Sequence, residues 1–407
     1  MWRTTESSQV TVAVAQPIDM GTRVASNLSA PGMRIVRINA YADFLDLRDA
    51  WTRLSAERSV FLRHEWFDAA WQWRQSEDTT RLAVVCVHDK TGLIGILPLL
   101  QRAERLGGMP RRVLEFLTVP DNQLCDMLAA EDREAAVADA LAGELAARRG
   151  EWDVLRLAYL PEHSLAQREL LPALERHGIG ATVTDSSGNS FVSLEAAWQD
   201  YYAGRSRSLK KTCNLAANRL AKAGSLRIDW LAPGTMPKTA RSFIDAAIAV
   251  STHSWKRSTG NSLDRPGPQA FFRRLADLAL DEGWLSLWLL TVDDKPVATE
   301  IQLIFAGRVH ALRSDFVEEY DELSPGTHLN KHLLEQLFGR GLQRYLMGPG
   351  DNPYKKRWTD QAEPLFRLDA YSPAARGRLA ALWDTKLKPA LRRLKAMTKQ
   401  RTKADPQ

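Results

Sequence analysis

Residues 308–358, RVHALRSDFVEEYDELSPGTHLNKHLLEQLFGRGLQRYLMGPGDNPYKKRW, decide the fold of this chain. A strand-like segment leads through a polar turn to SPGT at 324–327, an amphipathic helix and the short strand YLMG. Serine can cap a helix, and proline suits its first position because the N–H that proline lacks would have no partner there. A glycine next in line lets a ligand approach the backbone. Since a helix N-terminus offers free N–H groups and a positive dipole end, the segment predicts a phosphate-bearing, nucleotide-like cofactor.

Length and charge narrow the class of protein. The chain has 407 residues, which fits two domains, and its 44% hydrophobic and 26% charged residues describe a globular protein. The net charge of +6 comes from residues 386–403, which hold eight Lys or Arg and no acid. The rest of the chain has 47 basic and 49 acidic residues, so a broad nucleic-acid-binding surface is not indicated.

The three cysteines lie far apart, without the spacing of metal ligands, which favours a reducing compartment and no metal site. The first 30 residues lack the apolar core of a signal peptide. No apolar run approaches the roughly 20 residues of a membrane span. We therefore expect a cytoplasmic protein.

The two halves of the chain repeat one order of elements. Hairpins at 82–101 and 285–305 both consist of a strand, a turn containing Asp and Lys, and a second strand, and a helix leading into a strand closes each half. This order indicates a degenerate duplication. The predicted segments are a disordered stretch at 1–32, an N-terminal domain at 33–190, a C-terminal domain with the donor site at 191–372, and a basic amphipathic tail at 373–407.

A basic helix is predicted between the halves. Residues 201–224 contain six basic residues and no acid, and their apolar positions step by four, three and four, as on one helical face. Lys210 and Lys211 lie away from that face. They could hold an anionic acceptor, a tRNA or a lipid-linked pyrophosphate, although such a charge run is more often a solvated face.

Three motifs in sequence resemble one group of enzymes: SLKKTCNLAANRLAKAG at 208–224, SPGTHLNKHLLEQLFGRG at 324–341 and GPGDNPYKKRW at 348–358. They are similar to CelD-type (cellulose-biosynthesis-associated) acyltransferases, relatives of the FemAB-type peptidoglycan aminoacyltransferases. The resemblance covers roughly residues 33–372. It implies a mixed α/β (α+β) fold of two tandem acyl-CoA N-acyltransferase (GNAT-like) domains with a cleft between them.

The same resemblance implies the reaction. An acyl group, most simply acetyl from acetyl-CoA or another acyl-CoA, would pass to an amine or hydroxyl of a cell-envelope or exopolysaccharide precursor. Direct transfer is expected because none of the cysteines lies in a nucleophile context. Two alternatives stay open. The FemAB relatives use aminoacyl-tRNA as donor, and a degenerate fold could serve as a non-catalytic subunit of a polysaccharide synthesis complex.

The donor phosphates are expected at Ser324, Gly326, Thr327 and His328. The LSPGT loop is, however, poorer in glycine and basic residues than the usual phosphate loop of the superfamily. His328 is also spaced four residues from His332, as in half a metal site, but packing is the favoured interpretation because no third ligand is evident.

Three residues are candidates for the chemistry. Asp315, at the end of a strand just before the phosphate helix, could act as base or orient the acceptor, and a solvated strand-end acid is equally compatible. Glu300 would have a raised pKa if it is buried, as suits a general base, but the strand alternation favours an exposed position. Lys355 matches the position of a lysine that FemAB-type relatives carry near the reacting acyl group, where it could stabilise an oxyanion or hold a carboxylate or phosphate of the acceptor. It could also be one of three exposed cations, with Lys356 and Arg357.

The acceptor site is predicted around the polar loop HSWKRSTGNS at 253–262. Trp255 would provide a platform and Arg257 would bind an anion, together with Lys210 and Lys211. A helix-terminating loop with a core tryptophan is at least as compatible. The cationic C-terminal tail could contact an anionic membrane surface, with a solvated tail as the simpler expectation.

Overall fold

The computed structural model describes residues 24–26, 32–106, 109–254, 256–257 and 260–390. Helices and strands alternate in both halves of the chain. The helices are α1 (Tyr41–Leu45), α2 (Arg48–Ser55), α3 (His64–Arg74), α4 (Glu134–Ala147), α5 (Leu171–Arg176), α6 (Trp198–Ala203), α7 (Arg207–Ala223), α8 (Pro237–Thr252), α9 (Pro266–Asp281), α10 (Pro325–Leu337), α11 (Pro353–Lys356) and α12 (Ala375–Leu382). None of the helices in these ranges is long and apolar enough to cross a membrane.

The strands form two sheets. They are β1 (Val24–Ser26), β2 (Arg34–Ile38), β3 (Thr80–Leu82), β4 (Val84–Asp89), β5 (Gly92–Leu97), β6 (Leu99–Leu106), β7 (Met109–Phe116), β8 (Leu128–Ala129), β9 (Val154–Pro161), β10 (Ala181–Ser193), β11 (Leu226–Leu231), β12 (Leu285–Val292), β13 (Lys295–Phe305), β14 (Arg308–Phe316), β15 (Arg344–Pro349) and β16 (Ala362–Tyr371). The smaller sheet has the order β1-β2-β4-β5-β8. The larger has the order β11-β12-β13-β14-β15-β10-β16-β9-β7-β6-β3. Strand β1 lies within the segment for which disorder was expected.

The first predicted hairpin joins the two sheets. One arm consists of β3 and β4, and the other of β5 and β6. Strands β3 and β6 belong to the larger sheet, and β4 and β5 to the smaller one. The change of sheet occurs at Ala83 in the first arm and at Pro98 in the second. Proline has no N–H to donate, which interrupts the strand pattern there. The Ala83 N–H still donates to the Leu99 carbonyl at 3.0 Å, so the hairpin bends without separating.

The two halves exchange their last strands. Strand β10 follows β9 in the chain but pairs with β15 of the other half, while β16 follows β15 and pairs with β9. The two exchanged strands also pair with each other at the centre of the sheet. One continuous sheet therefore runs through both halves, and the boundary expected at residue 190 lies inside β10.

The C-terminal half packs α7 and α10 on one face of this sheet. The predicted apolar face of the basic helix is confirmed, since Leu209, Cys213 and Leu220 are buried in a core that also contains Leu333 and Leu337. The other face of the sheet meets the N-terminal half, where α3 packs against α9. Burial of apolar surface on both faces fixes the position of every strand in the site described below.

The strand exchange has a testable consequence for the folding of the halves. Fragments 1–195 and 196–407 each lack a central strand, so we expect neither to fold alone and both to fold when co-expressed. Co-purification and far-UV circular dichroism of the fragments, against the intact chain, measure this. Two fragments that fold separately as monomers would contradict the exchanged pairing.

Candidate active site

Strands β14 and β15 are parallel neighbours for only three residues. Residues 308–310 pair with residues 344–346, after which β14 continues to Phe316 and β15 to Pro349 without pairing to each other. A bulge in β14 lies at the point of separation: Gln302 lies opposite Ala311 and Ile301 opposite Arg313, so that Leu312 is an extra residue. Bulges bend a strand and re-aim its side chains. The two strands consequently open a gap in the sheet.

A cavity of about 780 Å³ occupies this gap. The start of α10 and the segment after β15 form its walls, with Thr212 of α7 at one side. The lining residues that bear on the chemistry are Thr212, Lys256, Glu300, Arg313, Ser314, Glu318, Asp321, Ser324, Gly326, Thr327, Asn330, Tyr345, Tyr354, Lys355 and Arg357.

Glu300 lies in the lining of this cavity and not on an exposed face, so the exposed position that the strand alternation favoured is wrong. Helices α7 and α10 cover that face, leaving the residue 2% exposed. Burial raises the pKa of Glu300 to about 7, although hydrogen bonds from Tyr345 and Gln302 oppose the rise. A carboxylate that titrates near neutral pH can accept and return a proton under physiological conditions.

A hydrogen-bonded chain orients Glu300. The Tyr345 hydroxyl donates to Glu300 Oε1 at 2.6 Å, and Asn330 Nδ2 donates to the Tyr345 oxygen at 3.2 Å. The Ser314 hydroxyl donates to the other carboxylate oxygen, Oε2. Burial and the neighbouring Glu300 raise the pKa of Tyr345 well above its ordinary value, so the phenol stays protonated and acts as a donor.

Sequence reasoning missed Tyr345, Asn330 and Ser314. Tyr345 reaches Glu300 through the parallel register of β14 and β15, which no local pattern specifies. The contact of Ser314 with Glu300 depends on the antiparallel register of β13 and β14 alone, since the two residues lie directly opposite each other.

Asp315 lies on the opposite side of the sheet from Glu300, because neighbouring residues of a strand point to opposite faces. Lys256 Nζ lies 2.5 Å from its Oδ1, and Arg313 Nε lies 3.9 Å from its Oδ2. Burial alone would raise the pKa of Asp315, but these two cations outweigh it and hold the pKa below its usual value. Lys256 and Arg313 line the cavity whereas Asp315 does not. This geometry suits a role for Asp315 in positioning Lys256 and Arg313 at the cavity.

Lys355 lines the cavity beside the end of β15. Its ammonium donates to the carbonyl oxygens of Gly348 at 2.7 Å and Pro349 at 2.8 Å. Partial burial lowers the pKa of Lys355 to about 8. A held cation at the wall of the gap can stabilise negative charge that develops on a bound acyl group.

The N-terminus of α10 faces the cavity through Gly326 and Thr327. Ser324 also lines it but adopts a left-handed conformation, with φ of 56°, and its side chain makes no capping bond. Serine capping of this helix was therefore wrong. His328 is half-buried outside the lining, where burial lowers its pKa.

The carboxylates of Glu318 and Asp321 also line the cavity near this helix. They reduce the positive potential that the helix N-terminus would offer to a phosphate.

The predicted acceptor residues do not converge on the cavity in this structure. Trp255 lies outside the described residues. Arg257 is exposed and lies 3.9 Å from Asp264, and the Lys210 ammonium donates to the Ala203 carbonyl at 2.7 Å. Lys211 is exposed, and none of these three described residues is in the lining. Their role in acceptor binding stays a prediction. In the described part of the chain, no group of three His, Cys, Asp or Glu is placed to hold a metal ion.

The N-terminal half contributes two polar residues that sequence reasoning missed. Asp121 Oδ2 lies 3.0 Å from Arg313 Nη1. Gln123 Nε2 donates to the Ala311 carbonyl at 2.8 Å, and its Oε1 lies 3.1 Å from His310 Nδ1. Both residues come from PDNQ at 120–123, a polar turn within an apolar stretch. The C-terminal site is therefore built by both halves.

Comparison with known proteins agrees with this architecture. Residues 207–356 match the family model of the acetyltransferase (GNAT) domain. No curated protein matches the chain. The gap, the helix N-terminus and the buried glutamate all lie within the residues that match this model.

Several solved structures are similar to this chain at low sequence identity. The C-terminal domain of a protein described as a lysylphosphatidylglycerol synthetase from Agrobacterium fabrum is similar with a TM-score of 0.50 and 13% identity, over 86% of this chain and 97% of that one. FemX is similar with a TM-score of 0.46 and 10% identity, over 82% and 96%. A tandem GNAT protein from the clavulanic acid biosynthesis pathway is similar with a TM-score of 0.42 and 12% identity, over 84% and 99%. The fold is mixed α/β, the order of elements recurs in the two halves, and residues 207–356 match the GNAT domain.

The raised pKa of Glu300 predicts that the difference in stability between Glu300→Gln and the unmodified protein depends on pH. Between its ordinary value of 4.5 and about 7, the folded protein holds the proton more tightly than the unfolded chain, so the fold loses stability as the pH rises through this window. Glu300→Gln removes that loss. We expect its free energy of unfolding, relative to the unmodified protein, to rise from pH 5 to pH 8 by roughly 3 kcal/mol at most. Urea unfolding at both pH values measures it.

Asp315→Asn is the matched control. The pKa of Asp315 lies below 3.8, so this carboxylate is ionised throughout the range and the difference between variant and unmodified protein should stay constant. If Glu300→Gln also gives a constant difference, Glu300 does not titrate in the cavity.

Proposed function

We propose that this chain is an acyltransferase that moves an acyl group, most simply acetyl, from an acyl-CoA thioester to an amine or hydroxyl of a cell-envelope or exopolysaccharide precursor. The observation that carries the proposal is Glu300, a carboxylate with a pKa of about 7 that lines the gap between two diverging strands. The motifs at 208–224, 324–341 and 348–358, which resemble those of CelD-type acyltransferases, support the branch and the class of acceptor.

The chain's own groups suit direct transfer. The acyl thioester would enter the gap between β14 and β15, with its phosphates toward Gly326 and Thr327. Glu300, held by Tyr345 and Ser314, would take the proton from the attacking amine or hydroxyl as the new bond to the acyl carbon forms. Collapse of the tetrahedral intermediate would then release the thiolate, which takes up the proton that Glu300 accepted, so that the carboxylate is restored.

Lys355 would stabilise the oxygen of that intermediate. Its lowered pKa, about 8, leaves it largely charged at neutral pH. The ammonium is anchored on two carbonyl oxygens, so little reorganisation is needed when negative charge develops on the acyl oxygen. The three cysteines are buried, which agrees with transfer that needs no covalent acyl-enzyme.

A second candidate is an aminoacyl donor carried on tRNA. Glu318 and Asp321 beside the helix N-terminus oppose a pyrophosphate, whereas they would favour the ammonium of an aminoacyl group. The basic outer face of α7 would then contact the nucleic acid.

Binding of acetyl-CoA to the purified protein tests the donor. We expect micromolar affinity by calorimetry and loss of binding in Gly326→Trp, because an indole at the start of α10 fills the space for the donor. Gly326→Ala is the control, since an added Cβ would meet only Phe316 Cδ1 at 3.5 Å, an ordinary contact. Absence of acetyl-CoA binding in the folded protein, with tRNA binding that weakens steeply as salt rises, would establish the second candidate instead.

Glu300→Gln tests the general base. With an acceptor identified by thiol release from acetyl-CoA across a library of amines and amino sugars, we expect turnover to fall by about 10²–10⁴. Affinity for acetyl-CoA should be unchanged. The unmodified enzyme should lose activity as the pH falls below about 7, the pKa of Glu300. An unaltered rate in Glu300→Gln would remove this residue from the mechanism.

A further inference from the structure

Exposed apolar side chains concentrate at one end of the molecule. Six large hydrophobic residues are exposed in the described part of the chain, and three of them lie within nine residues of each other: Leu379, Leu382 and Leu387. Their exposed fractions are 58%, 46% and 44%. Single exposed leucines are ordinary, but a group on one segment indicates a surface that contacts something else.

The segment that carries these leucines is fixed to the body of the protein by its inner side. Arg111 Nη1 donates to Asp384 Oδ2 at 2.7 Å, and Arg376 Nη2 donates to the Pro110 carbonyl at 2.6 Å. Gly377 lies so close to the Ser372 carbonyl that a Cβ would be 2.2 Å from its oxygen. These contacts hold α12 against the body of the protein. The leucines therefore lie on the outer side of a fixed segment.

The outer side of the same segment is cationic. Arg378 and Lys386 are exposed beside Leu379 and Leu382. Asp384, the one acid in residues 373–390, is engaged with Arg111. The positive charge continues along residues 386–403 with eight Lys or Arg and no acid.

We propose that this surface, formed by α12 and the π-helical segment Trp383–Leu387 that continues it, docks on an anionic lipid bilayer. The leucines enter the boundary between head groups and acyl chains, and the flanking cations lie against lipid phosphates. A second copy of the chain is a poorer occupant, because pairing this surface with itself brings cations together. A nucleic acid would use the cations and leave the leucines in water. The inference rests on these contacts and not on the proposed reaction.

Vesicle sedimentation with the full-length protein tests the proposal without any substrate. We expect binding to vesicles of phosphatidylcholine mixed with phosphatidylglycerol, and little binding to phosphatidylcholine alone. Leu379→Glu combined with Leu382→Glu should weaken the partition at least about tenfold. The matched control is Leu45→Glu combined with Leu215→Glu, two leucines exposed by 37% and 42% elsewhere on the surface, which should bind as the unmodified protein does.

Three outcomes would overturn the proposal. They are failure of the unmodified protein to bind anionic vesicles, equal binding to both kinds of vesicle, and equal loss in the two double variants. Circular dichroism of each variant separates loss of binding from loss of fold. Acetyl-CoA binding, measured on the same samples, reports on the proposed function separately, so either idea can fail while the other stands.

Discussion

The site depends on how β15 is held. On one edge it pairs with β10, the strand that the N-terminal half contributes, along most of its length. On the other edge it pairs with β14 over three residues and then leaves it. Without β10, the part of β15 that separates from β14 would have no hydrogen-bonded neighbour on either edge. The exchanged strand therefore supports the gap, and the gap exposes the side chains that could do chemistry.

Burial raises the pKa of Glu300 to about 7, so that this carboxylate can exchange a proton near neutral pH. An isolated carboxylate in this position would be costly, and the fold reduces the cost with hydroxyl donors from Tyr345 and Ser314. The donors do not restore the ordinary pKa, because desolvation is the largest effect. Asp315 shows the opposite balance: it is equally buried, yet two cations keep it ionised. Two carboxylates on neighbouring strands thus receive different charge states from their surroundings.

The sequence was sufficient where the information is local. The helix that begins at Pro325, the apolar face of α7 and the repeated order of elements all follow from spacing and from turn residues. The exchange of β10 and β16 could not be predicted, since either strand would satisfy the same pattern in its own half. The burial of Glu300 was missed for a related reason. Strand alternation identifies the residues that share a face, but whether α7 and α10 cover that face depends on tertiary packing.

The two halves differ in what occupies the gap between their parallel strands. In the N-terminal half, β7 and β9 are parallel over three residues, as β14 and β15 are. There the chain itself enters the opening, because the Cys125 N–H donates to the Tyr159 carbonyl at 2.9 Å. The same segment sends Gln123 to the Ala311 carbonyl of the other half. One loop thus occupies the gap of its own half and contributes to the wall of the second. A change in that loop would therefore alter the C-terminal cavity without touching the C-terminal sequence, which makes the N-terminal half part of the site.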